Sequence, residues 1–355
     1  MQVFIELFKS LIQFRELLNG IIISIMLFGR KITKRTIQIF LGCLWILDGL
    51  LQLQPKMFSK QFSTQVIDAA ANGQPHIISA PMNFFAGQYE NHIILLNIFV
   101  IILQIGIGLL ILKKKFTRYG LLLSIPWGLF IWWIGEGFSG IFSGHATMLM
   151  GFPGAVLLYV ILAIAIYPKK NSEIEKPASW LIYFWGLSWT TGAVYQLLPG
   201  QNSISDLSSM IAGNGQGQPV WLYNLDSRVG SLINSLGAAP ANSHMPAMTM
   251  NQMANMPTVQ GSGIWLIILI ALAQVIIGIC VFLPSKYRNP ILYFSIILSL
   301  AYWVFGQSFG GIFTGLGTDP NSAILYIVLV IAILPIKFEL ESLKNISSKL
   351  EKLFV

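Results

Sequence analysis

The chain has 355 residues and a formal net charge of +8, yet 55% of its residues are hydrophobic and only 10% are charged, far from the balance of a soluble domain. Its basic residues fall in short clusters between apolar runs instead of gathering on one polar face, which excludes a nucleic-acid-binding surface and fits anchoring in a lipid bilayer. The expected fold class is therefore all-α, a polytopic integral membrane protein of eight spans, or nine.

Residues 3–29 read equally as an interfacial amphipathic helix or as an extra span, since 17–29 is apolar but short and Glu6, Lys9, Arg15 and Glu16 precede it. Arg15 and Glu16 interrupt the apolar stretch that a cleavable signal needs, and no small-residue cleavage site follows. Spans are expected near 36–54, 92–112, 119–135, 152–168, 179–198, 262–283, 290–307 and 321–335, each close to the roughly 20 apolar residues that cross a bilayer. The last is short and is expected to start from a loop tucked into the protein. Seventeen Lys and Arg, in the clusters around Arg30 to Arg35, Lys113 to Arg118, Lys169 to Lys176, Lys286 to Arg288 and Lys337 to Lys352, lie on one side of these spans. Lys56, Lys60 and Arg228 lie on the other, so the basic loops and C-terminus are expected in the cytoplasm and the long loops outside the cell membrane. Ile336, Leu340, Leu343, Ile346, Leu350 and Leu353 recur at helical spacing among Lys and Glu, the pattern of a cytoplasmic amphipathic tail that lies on the membrane or pairs with a partner.

The chain also repeats itself. GEGFSGIFSG at 135–144 matches GQSFGGIFTG at 306–315, LQIGIG at 103–108 matches AQVIIG at 273–278, and NGQPHIISAPMNFF at 72–85 matches GQGQPVWLYNLDSR at 215–228. DGLLQLQP at 48–55 corresponds to TGAVYQLLP at 191–199. The expected organisation is an N-terminal amphipathic or extra membrane helix (1–35), a first four-helix repeat (36–168), a cytoplasmic linker (169–178), a second four-helix repeat (179–335) with a long outer loop (199–261), and the tail (336–355). Four spans per copy give both copies the same orientation, related by a pseudo-two-fold axis along the membrane normal.

Several polar residues fall where polar groups are costly. Asp48 lies inside the first expected span, and an acid there is a functional candidate that should face the bundle or water. Its repeat partner is Thr191, so the carboxylate belongs to one half alone. Glu136 sits between Gly135 and Gly137 and pairs with Gln307. The Gly-rich stretches around them serve either to break a helix beside a binding site or to pack helices closely. Gln104 and Gln274 are matched across the repeats and are expected to bond between helices, or to touch a substrate. His145 follows the first Gly-rich turn, and with His76, His92, Glu136 and Asp48 it could assemble a metal or proton site, although the sequence separations give no ligand spacing. Asp48, Gln104, Glu136, His145, Gln274 and Gln307 are thus the candidate ligand or proton site.

His244, Met245, Met248, Met250, Met253 and Met256 form a second candidate, with five of the chain's twelve methionines in one polar loop. Soft thioethers at this spacing suit copper as Cu(I), while flexible Met-rich loops also serve as adaptable contacts. Cys43 and Cys280 lie in apolar segments without a CxxC partner and read as small core residues.

Through FLGCLWILDGLLQL at 40–53 and LQIGIGLLILKKKFTRYGLLL at 103–123, each half resembles the DoxX-like and DoxD-like four-helix membrane proteins. That resemblance implies the fold, and through the quinone-linked relatives an oxidoreductase subunit as one reading. The residues themselves favour a protein that binds or transports a small ligand or soft metal at its extracytoplasmic face. A structural subunit of a larger membrane complex, or a homo-oligomer, is a third reading. An enzyme is disfavoured, since no paired intramembrane His, haem signature or cysteine pair is present.

Overall fold

The computed structural model describes residues 33–168, 178–237 and 264–333, and all of them after Thr33 belong to one compact unit, Lys34–Leu334. The expected N-terminal helix, most of the linker, the Met-rich segment and the C-terminal tail lie outside the described residues. Among the described residues every regular element is helical.

Helix α1, Lys34–Leu51, lies along α4, Ile93–Leu112. Glycines let the two backbones meet, since a Cβ on Gly42 would stand 3.1 Å from the Gly108 carbonyl and one on Gly108 3.0 Å from the Ile46 amide. The same contact recurs between α7, Leu181–Gln196, and α10, Ile264–Cys280, where a Cβ on Gly186 would stand 2.9 Å from the Gly278 carbonyl and one on Gly278 2.9 Å from the Gly186 carbonyl. Arg35 donates to the carbonyls of Ile111 and Leu112 at the end of α4, where a cation complements the orphan carbonyls and the helix dipole.

The described parts of the stretches expected as outer loops are largely helical, which corrects the loop expected at 199–261 over residues 204–237. A short helix, α2, covers 60–71 with a π turn at Ser63–Ile67, and α3 covers His76–Asn91. In the other half α8, Ile204–Asn214, and α9, Val220–Gly237, take the same places. The start of α8 is capped by the Ser203 hydroxyl, which accepts from the Asp206 amide at 3.1 Å, and its apolar stripe Ile204, Leu207 and Ile211 is buried.

Helix α5 runs Thr117–Ile134, α6 Ala155–Ala165, α11 Ser285–Ala301 with a π turn through Gly306, and α12 Ser322–Ile333. Among the described residues two helices, Ile93–Leu112 and Ser285–Gly306, are long and apolar enough to cross a membrane. Helix α6, at 11 residues, is shorter than the span expected at 152–168, and α12 is described from Ser322 to Ile333. Each is preceded by a residue with positive φ, Gly154 at 117° and Asn321 at 68°, which no helix continues through.

Helix α4 turns ordinary amphipathicity inside out. Asn97 and Gln104 face the bundle, at 0% and 4% exposure, while Ile94, Leu95 and Ile102 are 66–69% exposed. Cys43 lies on a similar exposed apolar face of α1 with Ile39, Leu47 and Leu50, which corrects its reading as a core residue. An all-apolar sequence does not reveal which side of a helix meets protein.

Candidate functional site

The polypeptide between α5 and α6 turns back on itself, and so does that between α11 and α12. In the first turn Gly137, Phe138, Ser139 and Gly140 take φ of 52° to 75°, and in the second Ser308, Phe309, Gly310 and Gly311 take 43° to 74°. A left-handed conformation costs a side-chain-bearing residue about 1–2 kcal/mol, so neighbours must hold these turns. The same holding contacts occur at matching positions. Trp132 donates to the Pro153 carbonyl and Trp303 to the Pro320 carbonyl, both at 2.7 Å. Phe138 packs edge-on to Trp132 with centroids 4.7 Å apart, and Phe309 to Trp303 at 4.9 Å. Gln74 donates to the Gly137 carbonyl at 2.7 Å and Gln218 to the Ser308 carbonyl at 3.1 Å.

Glu136 and Gln307 complete the correspondence. Glu136 Oε1 accepts from the Val156 amide at 3.2 Å, near the start of α6, and Gln307 Oε1 accepts from the Ala323 amide at 3.0 Å, near the start of α12. Both satisfy a helix's first free amides. The halves are also tied to each other, by Lys56 donating to the Thr314 carbonyl at 2.6 Å, by Gln201 donating to the Gly144 carbonyl, and by the Tyr195 hydroxyl donating to the Ile141 carbonyl at 3.2 Å.

Where these turns meet lies a polar cavity of about 580 Å³, a size that suits a small ligand. Its walls come from the end of α2 with Gly73 and Gln74, from the first turn with Glu136, Ser139, Ser143 and His145, and from the loop before α12 with Thr318, Asp319 and Asn321. The matching space in the second half is filled. The connection into α6 is longer than that into α12, and its extra residues lean across: Met148 lies against Gly192, Leu149 against Gly306, and Asn214 bonds both the Met150 sulfur and the Gly306 carbonyl. The connection into α6 thus packs across onto the second half, and the cavity remains beside the first turn, closed by the loop before α12.

Carboxylates dominate the electrostatics. Glu136 and Asp319 line the cavity, and among the described residues no Lys or Arg does. Asp48, 2% exposed, lies beneath, its Oδ1 accepting from the Tyr159 hydroxyl at 3.2 Å, and Tyr159 lies within electrostatic reach of all three acids. Burial in the wall, then the Asp319 charge, pushes the Glu136 carboxyl well above its ordinary value; burial raises Asp319 as well. Glu136 Oε2 accepts from Ser139 at 3.3 Å, while Asp319 accepts from the Asn321 amide at 2.7 Å and from the Thr318 hydroxyl at 2.9 Å. Each carboxylate retains lone pairs for a further donor.

No family model, curated protein or solved structure matches this chain.

Of the residues singled out from the sequence, Glu136 and His145 line the cavity and Asp48 lies next to its acids. Gln307 caps α12, also donating to the Ser322 hydroxyl at 3.1 Å, and does not line the cavity. Gln274 bonds the Tyr302 hydroxyl at 2.9 Å, joining α10 to α11. The Gln104 side-chain carbonyl is buried without a donor among the described residues. His76 starts α3 and His92 caps its end, and neither lines the cavity, so they do not join Glu136 and Asp48 there. Among the described residues no three His, Cys, Asp or Glu side chains converge as metal ligands. His244 and the five methionines of the copper candidate lie outside the described residues. Sequence reasoning missed Asp319, Thr318, Gln74 and Tyr159. Aligning FPG at 152–154 with DPN at 319–321 was the available signal, because it places Asp319 opposite the bulky Phe152.

Proposed function

We propose that the protein is a multi-pass membrane protein, built from two tandem four-helix units of DoxX-like type, that binds a small ligand in the cavity between its Gly-rich turns and presents it at the extracytoplasmic face for capture or transport. The observation that carries this reading is the cavity itself, a polar recess with walls from both halves in an otherwise apolar bundle. Three further features support the setting. The exposed apolar face and buried amides of α4 suit lipid outside and protein inside. The Gly-rich turns lie on the side opposite the basic clusters, which is the outer side under the positive-inside rule. Equivalent bonds at Trp132 and Trp303, Gln74 and Gln218, and Glu136 and Gln307 are what a duplicated unit would retain.

The test is thiol labelling of Ser143→Cys in a Cys43→Ser, Cys280→Ser background. A membrane-impermeant maleimide should label intact cells and spare sealed inside-out vesicles. Labelling from the cytoplasmic side alone, or only after detergent, would overturn the outward opening.

A further inference from the structure

We infer that the occupant of this cavity is a small organic ammonium ion bearing N–H groups, a primary or secondary amine, held between Glu136 and Asp319; this rests on the cavity reading above. Charge gives the sign. Two carboxylates line the recess, from different halves of the chain, and a third, Asp48, is buried beside them with one oxygen bonded to Tyr159. Among the described residues no Lys or Arg lines the wall to neutralise them, His145 being the one nitrogen base there, and carboxylates so gathered are stabilised by a cation placed between them.

The charge at position 136 exceeds what the fold needs. Gln307 caps α12 through a neutral amide oxygen at 3.0 Å, in the same geometry by which Glu136 caps α6 at 3.2 Å. An amide therefore suffices for the cap, and the carboxylate in the half that holds the cavity adds charge to a space that its counterpart does not face. Asp319 likewise occupies the position held by Phe152 in the other half, so neither acid repeats across the duplication.

The lining then selects the kind of cation. It is rich in acceptors, with hydroxyls at Ser139, Ser143, Thr147 and Thr318 beside the carboxylates, and among the described residues no Phe, Tyr or Trp ring lines it. Quaternary ammonium groups are recognised by aromatic faces, whereas N–H groups need oxygen acceptors. The volume of about 580 Å³ exceeds what a bare ion fills, and among the described residues no three ligating side chains converge, which favours an organic cation.

The test is calorimetric titration of the detergent-purified full chain at about pH 8.5, above the value of about 8 to which Glu136 is raised, with ethanolamine, putrescine and spermidine, using tetramethylammonium and ethylene glycol as controls. At least one of the three amines should bind about tenfold or more tighter than either control, and Glu136→Gln and Asp319→Asn should each weaken it by about tenfold, as expected for loss of one charge-assisted bond. Both variants keep an acceptor in place, and a melting temperature within about 3 °C of the parent shows that they fold. Absence of binding by all three amines, equal binding of a control, or unchanged affinity in folded variants overturns the inference. Outward labelling of Ser143→Cys with no amine binding removes the ligand class and leaves the cavity reading standing; failed labelling removes the cavity reading.

Discussion

Replacing Glu136 separates its capping role from its charge. In Glu136→Ala the Val156 amide loses its acceptor at 3.2 Å and the Ser139 hydroxyl loses its partner at 3.3 Å. Losing such a cap costs about 1–2 kcal/mol, which in a chain of this size lowers the melting temperature by roughly 1–3 °C. Glu136→Gln keeps an acceptor in the geometry of Gln307, so its cost should stay below about 1 kcal/mol, the size of the lost charge–dipole attraction. The pH dependence has a definite sign. Burial and the Asp319 charge raise the folded-state pKa of Glu136 above its ordinary 4.5, so above that value the folded state holds a proton that the unfolded state has released. Stability from this group then falls as pH rises until the folded carboxyl itself ionises. Glu136→Gln lacks this dependence, and its melting temperature should gain on the parent between about pH 5 and pH 8. Thermal unfolding followed by tryptophan fluorescence across that range is the assay. Equal losses for Ala and Gln, or a difference that does not change with pH, would refute the reasoning.

Gly154→Ala should destabilise more than Gly144→Ala. Both glycines have positive φ, but a Cβ at 154 would overlap Glu136 and stand 2.7 Å from Trp132 Cδ1, while at 144 it would meet open space; roughly 2–4 kcal/mol against about 1–2 is expected by chemical denaturation. Trp132→Phe and Trp303→Phe should each cost about 1–2 kcal/mol by the same measurement, because each removes one indole bond to a proline carbonyl, and the two losses should be similar. Lys56→Met removes the 2.6 Å bond to the Thr314 carbonyl and should lower stability by about 0.5–1 kcal/mol, while tryptophan fluorescence of the folded state stays unchanged.

Much of this architecture was legible because it lies in local pattern. Apolar runs gave helices, and the matched Gly-rich stretches marked two equivalent positions in the chain. The sequence left open whether those glycines break helices or pack them, and the positive φ of Phe138, Ser139, Ser308 and Phe309 shows reversing turns. What the sequence hid depends on how the halves meet. Asp319 reads as a solvated loop acid until Glu136 and Asp48 are seen beside it. The plug of Met148 and Leu149 depends on a length difference between loops, and its destination against Gly192 and Gly306 has no local signature. The helices α8 and α9 were lost to their polarity, since an amphipathic stripe as modest as Ile204, Leu207 and Ile211 is easily read as a loop.

The most direct test of the central claim, an outward-opening acidic cavity, is the reactivity of Ser143→Cys in intact cells at about pH 8.5, above the value of about 8 to which Glu136 is raised, toward the permanently cationic 2-(trimethylammonio)ethyl methanethiosulfonate compared with its anionic sulfonatoethyl counterpart. The cationic reagent should react about tenfold faster, relative to the rates of the two reagents with a free thiol, and Glu136→Gln with Asp319→Asn should bring that ratio close to one, because a confined site lined by one sign of charge concentrates the opposite sign. Equal rates in the parent, or a ratio that survives removal of both carboxylates, would contradict the account.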